Sequence, residues 1–229
     1  MSGPLRVDRR EGFCSRPATF AVYLLLFVSL GLLFYTRLAG LGQSFWHDEV
    51  WSVLKFIDPG PAVIFSEYIP NNHMLFSLLA WGTTRFLPGG EVTYRLWGVV
   101  PSLLAVVLLV HWLWRREGPT VAALFSLLVL TSPLHLDYAR EARGYGLAFL
   151  ASAGILWAGD SILASRGRQS VAAFGLAGLL GILTLPVFVL PFVLSFAVRI
   201  ADMKPFFWPQ ADLTAPYRAE SIDVRQRMN

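Results

Sequence analysis

Charge is scarce in this chain. Only 15% of its 229 residues are Asp, Glu, Lys or Arg, against 55% hydrophobic residues and a mean hydropathy of +0.54. That scarcity excludes a disordered chain, which stays solvated through an excess of charged and polar residues, and it does not fit an ordinary soluble domain. Cysteine is almost missing. The single Cys14 cannot close an intramolecular disulfide, so a disulfide-stapled secreted module is excluded, and the residue says nothing about redox compartment. Short segments alternating apolar and polar residues, the mark of a membrane β-barrel, are lacking too, as are internal repeats and low-complexity tracts.

What the chain does have is long uncharged runs. Residues 17–36, 96–114, 118–136, 144–159 and 169–198 carry no Asp, Glu, Lys or Arg. Several reach the roughly 20 residues that cross about 30 Å of hydrocarbon as a helix. The expected fold class is therefore all-α and polytopic, with about six transmembrane helices and interfacial helices in a long first outer loop. The net charge of +4 invites a nucleic-acid reading. Basic residues flanking apolar runs instead record membrane orientation, and no basic helix stands clear of the runs, so no nucleic-acid partner is expected.

Orientation follows from the arginines. Arg6, Arg9, Arg10 and Arg16 precede the first run, so the positive-inside rule puts a cytoplasmic arm at residues 1–18. The first run is longer than a signal-peptide core and no small-residue cleavage site follows it, so it reads as a true span. Residues 73–87 are short and apolar. If they lie in the interface or re-enter, Arg115-Arg116 and Arg166/Arg168 fall inside with the N-terminal arginines, and the charge rule favours that choice. A transmembrane domain then covers residues 19–201, with an outer loop over residues 39–95. Residues 169–198 would make about 45 Å of helix, too long for one untilted span, and Pro186 and Pro191 predict a split with a turn at residues 184–187. Residues 202–229 read as a polar cytoplasmic tail.

Two charged segments then share one face of the membrane. In the first, Ser44-Phe45-Trp46-His47-Asp48-Glu49-Val50-Trp51-Ser52, helical spacing predicts an apolar stripe of Trp46, Val50, Val53 or Leu54, and Ile57, with Asp48, Ser52 and Lys55 on another face. The second runs from Ser132 to Tyr145 and holds Asp137, Arg140, Glu141 and Arg143. Four charges at mid-membrane would cost on the order of 10 kcal/mol, so they belong at the interface or in a wet cavity. On a helix Asp137, Arg140, Glu141 and Gly144 share a face and Arg143 lies off it. From pattern alone, each segment also reads as a solvated helix end with belt aromatics and snorkelling arginines.

Five landmarks occur in order: one span, the Trp46-His47-Asp48-Glu49 segment, Asn71-Asn72-His73 opening an apolar helix, Tyr94-Arg95-Leu96 leading into the next span, and Tyr138-Ala139-Arg140-Glu141-Ala142-Arg143-Gly144-Tyr145. Over residues 18–200 they resemble the N-terminal half of the GT-C class of membrane glycosyltransferases. Within that class the chain is most similar to the bacterial relatives of the protein O-mannosyltransferases and of the aminoarabinose transferase, glycosyltransferase families 39 and 83. The resemblance implies a multi-pass enzyme of the bacterial plasma membrane, its active face outward. It would transfer a sugar from a polyprenyl-phosphate donor to an acceptor with inversion.

On that model Asp48 is the catalytic base, a task suited to a carboxylate in apolar surroundings such as Trp46 and Trp51. Glu49 matches the adjacent acid and would hold the acceptor or a divalent ion. Glu141, with Asp137, matches the second-loop acid, and Arg143 or Arg140 would bind the donor phosphate, where bidentate geometry favours Arg over Lys. His73 and Tyr145 would hold or position the acceptor. Some members of the class use a metal and others do not, so Mg²⁺ or Mn²⁺ on Asp48, Glu49 and Glu141 stays an open alternative to no metal.

Relatives carry proline where this chain has Met74. They are also longer, with further spans and often an outer C-terminal domain, which implies a C-terminal half or a full-length partner chain. The rival expectations are a non-catalytic truncated paralogue or subunit that binds the lipid phosphate, and a transporter fragment. The transporter would want acids at mid-membrane and paired repeats. A lipid phosphatase would want a histidine nucleophile among arginines, which His47, His73, His111 and His135 do not offer.

Overall fold

The computed structural model describes residues 16–67, 69, 71–165 and 167–207. The basic arm up to residue 15, with Arg6, Arg9, Arg10 and Cys14, lies outside them. So do Arg166 and the polar tail from residue 208.

The described chain is all-helical. Helix α1 (Arg16–Leu38) is followed by four short elements: α2 (His47–Ser52), a π-turn (Val53–Ile57), α3 (Pro61–Ser66) and α4 (Met74–Thr83). Then come α5 (Glu91–Glu117), α6 (Pro119–Thr131), α7 (Pro133–Arg140), α8 (Tyr145–Ser165), α9 (Arg168–Thr184), a 3₁₀ turn (Pro186–Phe188) and α10 (Val189–Phe207). Residues 202–207, expected in the tail, are the last turns of α10.

Three helices, α1, α5 and α8, are long and apolar enough to cross a membrane. A fourth is possible if α6 and α7, bent by 69° at Ser132, count as one span. The expectation of about six spans is corrected on length. Helix α6, expected as a span, has only 13 residues before its break, whereas α4, with 10 residues, is short as an interfacial or re-entrant piece would be. Residues 169–198 do break where Pro186 removes a backbone donor, but the pieces are α9, with 17 residues, and a short apolar stretch over Pro186–Val198.

Lipid-like surroundings suit the surface of the long helices. Phe20, Phe27, Leu32, Leu104 and Leu128 stand exposed on flanks that carry no polar stripe. Inside, Leu26 and Leu33 of α1 pack on Val99, Leu103 and Val106 of α5 and on Ala122, Ala123 and Val129 of α6. Ser29 and Ser126 hydrogen-bond across the α1–α6 contact, so neither hydroxyl is left unpaired. On α8, Ala148, Ala151, Ile155 and Ala158 meet Phe174 and Phe188, small side chains letting α8 and α9 approach closely.

Helix direction alternates. Arg37 near the end of α1 donates to Val129 O near the end of α6, at 2.6 Å. Arg95 in the second turn of α5 reaches the loop after α1. The start of α8 and the end of α9 lie at this same end, where His73 and Thr184 meet. The opposite end closes through Arg116 of α5 and Asp160 of α8.

The break between α6 and α7 is written in Ser132-Pro133. Ser132 Oγ accepts the His135 N–H at 3.2 Å and Pro133 occupies the first helical turn, an N-terminus signature in the middle of an apolar run.

Candidate functional site

The site is built where the α1–α2 loop, the α4 N-terminus and the α7–α8 connection converge. Its centre is Glu49, fully buried. One carboxylate oxygen accepts Arg95 Nε at 2.9 Å and the Ala142 N–H at 2.6 Å. The other accepts Arg95 Nη2 at 2.7 Å and the Trp46 N–H at 2.8 Å. Arg95 spends its remaining donors on the carbonyls of Leu41, Gln43 and Ser44. All five guanidinium N–H groups are thus directed at oxygen. This bidentate buried pair joins both charged segments to the start of α5. Glu49, expected to hold an acceptor or an ion, is fully occupied in holding the fold.

Above it lies Arg143, 9% exposed. Its Nη1 donates to Asp48 Oδ2 at 3.2 Å, its Nη2 to Asn71 Oδ1 at 2.9 Å and its Nε to His73 Nε2 at 3.3 Å. Glu141 Oε2 stands 3.9 Å from Nη1, and the Tyr145 ring lies 5.0 Å from the guanidinium carbon. Of the expected site residues, Asp48, His73, Glu141 and Tyr145 therefore meet at Arg143. Arg140 and Asp137 do not: they pair with each other at 3.7 Å on the flank, and Arg140 also bonds Ala39 O. Helical spacing had put Arg143 off the shared face. Helix α7 ends at Arg140 and Glu141 is extended, so the chain turns and Arg143 points inward.

The first segment also departs from its expected stripe. Val53 and Ile57 are buried, while Val50 and Leu54 are exposed. A π-turn at Val53–Ile57 puts an extra residue into the turn and shifts the helical phase, so the stripe splits between core and surface. Lys55 pairs with Glu67 at 2.9 Å and not with Asp48. The apolar shelter expected around Asp48 is missing as well: its side chain is 55% exposed, and Trp46 and Trp51 are themselves exposed.

Protonation states follow from the donors. Arginine only donates, so His73 Nε2 is an acceptor and the proton sits on Nδ1, which donates to Thr184 O at 3.2 Å. Burial, and then the Arg143 charge, push His73 down to about 4, with the Thr184 bond acting the other way. Burial raises the Glu141 carboxyl above the usual carboxylate range, and Arg143 opposes the rise.

Ser102 Oγ lies 3.2 Å from His135 Nε2, a spacing that suggests a nucleophile and its base. Arg37 donates to His135 Nδ1 at 3.0 Å, which leaves the proton on Nε2 and makes the histidine a donor to Ser102. The pair cannot activate the hydroxyl.

A divalent ion does not fit these residues. Glu49 has no free lone pair, Asp48 faces Arg143, and among the described residues no group of three His, Cys, Asp or Glu side chains could hold a metal. Sequence reasoning missed Arg95, Asn71 and Thr184 as site-builders. A charge near the start of an apolar helix and a polar triplet before another were the signals for the first two; Thr184 carried none.

Compared with known proteins, the chain matches no family model, no curated sequence and no solved structure.

Proposed function

We propose that this chain is a membrane glycosyltransferase that transfers a sugar from a polyprenyl-phosphate donor to an acceptor hydroxyl, with inversion, on the outer face of a bacterial plasma membrane. The carrying observation is Arg143: a nearly buried guanidinium that gives three hydrogen bonds, to Asp48, Asn71 and His73, among the described residues. Of its five N–H groups two are left, one on each terminal nitrogen, for a phosphate. The order of landmarks shared with the GT-C class is the second support.

In this reading the donor phosphate seats on Arg143 and competes with Asp48 for it. Asp48, freed from the ion pair, takes the acceptor hydroxyl proton as that oxygen attacks the anomeric carbon from the face opposite the phosphate. The sugar–phosphate C–O bond breaks and its electron pair leaves with the lipid phosphate, which the guanidinium stabilises. Neutral His73 and Asn71 hold Arg143 in place without adding a charge. Glu49 and Arg95 fix the segment carrying Asp48 and are positioning residues.

The test is sugar transfer from a polyprenyl-phosphate sugar by the full chain in bilayers, alone and with any co-encoded C-terminal partner. Asp48→Asn keeps shape but cannot accept the proton, and it no longer competes with the phosphate as an anion, so turnover should fall about 10²-fold or more while donor binding is kept or tightened. Arg143→Ala should weaken donor binding by about 1.5–3 kcal/mol, and Arg143→Lys should not fully restore it. Normal transfer by Asp48→Asn overturns the mechanism. Donor binding without transfer by the wild-type chain in both formats favours the non-catalytic lipid-binding reading.

A further inference from the structure

Beside the Arg143 niche opens a second cleft, of about 250 Å³, to which the mechanism above assigns nothing. Gln43 and Trp46 of the α1–α2 loop line one side, and Asp137, Tyr138, Arg140 and Glu141 the other. Glu141 forms the partition, since its carboxylate also stands 3.9 Å from Arg143. The cleft therefore adjoins the place where a donor phosphate would lie.

Its chemistry selects a narrow class of ligand. Asp137 and Glu141 repel an anion, and because each already faces an arginine, Arg140 or Arg143, a simple cation gains little there. Among the described residues the Gln43 amide makes no side-chain hydrogen bond, and the ion pair of Asp137 is with Arg140, at 3.7 Å. Donors and acceptors thus both line a space smaller than the roughly 300–1,000 Å³ of drug-sized sites. A neutral polyhydroxylated ring satisfies both kinds of group, as neither a lipid chain nor a charged headgroup does.

Trp46 adds the apolar element such a ring needs. Its indole is 72% exposed, so its faces are not used in packing the core. The other exposed tryptophan of this segment, Trp51, has different company: it shares a surface patch with His47, Val50, Leu54 and Lys55, whose ammonium lies 5.3 Å from the Trp51 ring centre. Two apolar side chains, an imidazole and an ammonium, with no carboxylate in the lining, suit a bilayer interface. Carboxylates, an amide and a guanidinium around Trp46 suit hydroxyl groups, with the C–H face of a sugar on the indole.

We infer that the Trp46 cleft is a saccharide subsite, which holds a sugar ring of the acceptor against Trp46 and presents its hydroxyls to Glu141 and Asp137. The role as acceptor rests on the transferase reading; the binding itself is measured separately.

The experiment titrates the full chain in lipid nanodiscs with methyl α-mannoside and methyl β-glucoside, read by saturation-transfer NMR, with polyprenyl-phosphate binding followed in the same samples. Wild type should bind at least one glycoside saturably, and Trp46→Ala should weaken it about tenfold while Trp46→Phe restores part of the loss. Trp51→Ala should leave it unchanged. Both residues are surface-exposed, so neither substitution removes core packing. Absence of saturable binding by wild type, or equal loss in Trp51→Ala and Trp46→Ala, overturns the subsite. Loss of donor binding by wild type with glycoside binding intact removes the transferase reading and leaves the subsite standing.

Discussion

At the residue scale, His73 shows how a buried neutral group is held by what surrounds it. Arg143 can only donate to its Nε2, and Thr184 O takes the Nδ1 proton. Burial, and then the guanidinium that a second proton would face, push this ring down from 6.5 to about 4. The unfolded chain binds that proton at higher pH than the folded chain does. The stabilisation from neutral His73 is therefore fully present above about pH 6.5 and lost as pH falls from there towards 4. Between pH 7 and pH 5 it should cost about 2 kcal/mol of folding free energy. Thermal unfolding in detergent at the two pH values checks this. In His73→Gln the drop should shrink by about that amount, while an unchanged drop would assign the acid sensitivity elsewhere.

At the element scale, the site depends on α5 and the start of α8 touching backbone to backbone. A Cβ on Gly146 would collide with the Gly98 carbonyl, and one on Gly144 would meet Thr184 Cγ2 at 2.5 Å and the His73 ring at 3.2 Å. A backbone carbonyl in a helix cannot swing aside as a side chain can. Gly146→Ala should therefore force α8 away from α5 at a cost of about 1–3 kcal/mol. Because Tyr145 and Arg143 ride on the same turn, donor-lipid binding should weaken in step. The unfolding midpoint and lipid titration of this variant, beside Gly175→Ala in open space on α9, separate close packing from ordinary helix propensity. Gly175→Ala should be neutral or slightly stabilising.

At the scale of the whole molecule, both charged segments lie at the end where α1 finishes and α5 begins, and the Arg116–Asp160 contact closes the other. If the positive-inside orientation holds, the site faces outward. With Cys14 replaced by serine, cysteines introduced singly at Ser44 and Asp137 should react with an impermeant thiol reagent on intact cells, and one at Glu117 only after the membrane is opened. The reverse pattern would turn the site to the cytoplasm and remove an outward-facing transferase.

How much of this was legible depended on how far along the chain each cause reaches. All-helical structure and apolar spans followed from uncharged runs, because burying backbone polar groups away from water leaves few alternatives to a helix. The break at Pro186 was equally local, since a missing N–H acts wherever it falls. The number of spans was not legible, because Ser132-Pro133 bends one apolar run by 69° and the run near Pro186 leaves short pieces. Site residues could be nominated but not given their tasks. Asp48 and Glu49 are neighbours in sequence, yet one is more than half exposed and the other fully buried on Arg95, 46 residues away. Local periodicity set Arg143 off its shared face, while the end of α7 at Arg140 turned it into the centre. The sequence by itself determined the helices, through short-range hydrogen bonding and composition. Only the tertiary structure decided which charges are pinned and which stay free for a ligand, because that depends on partners supplied from tens of residues away.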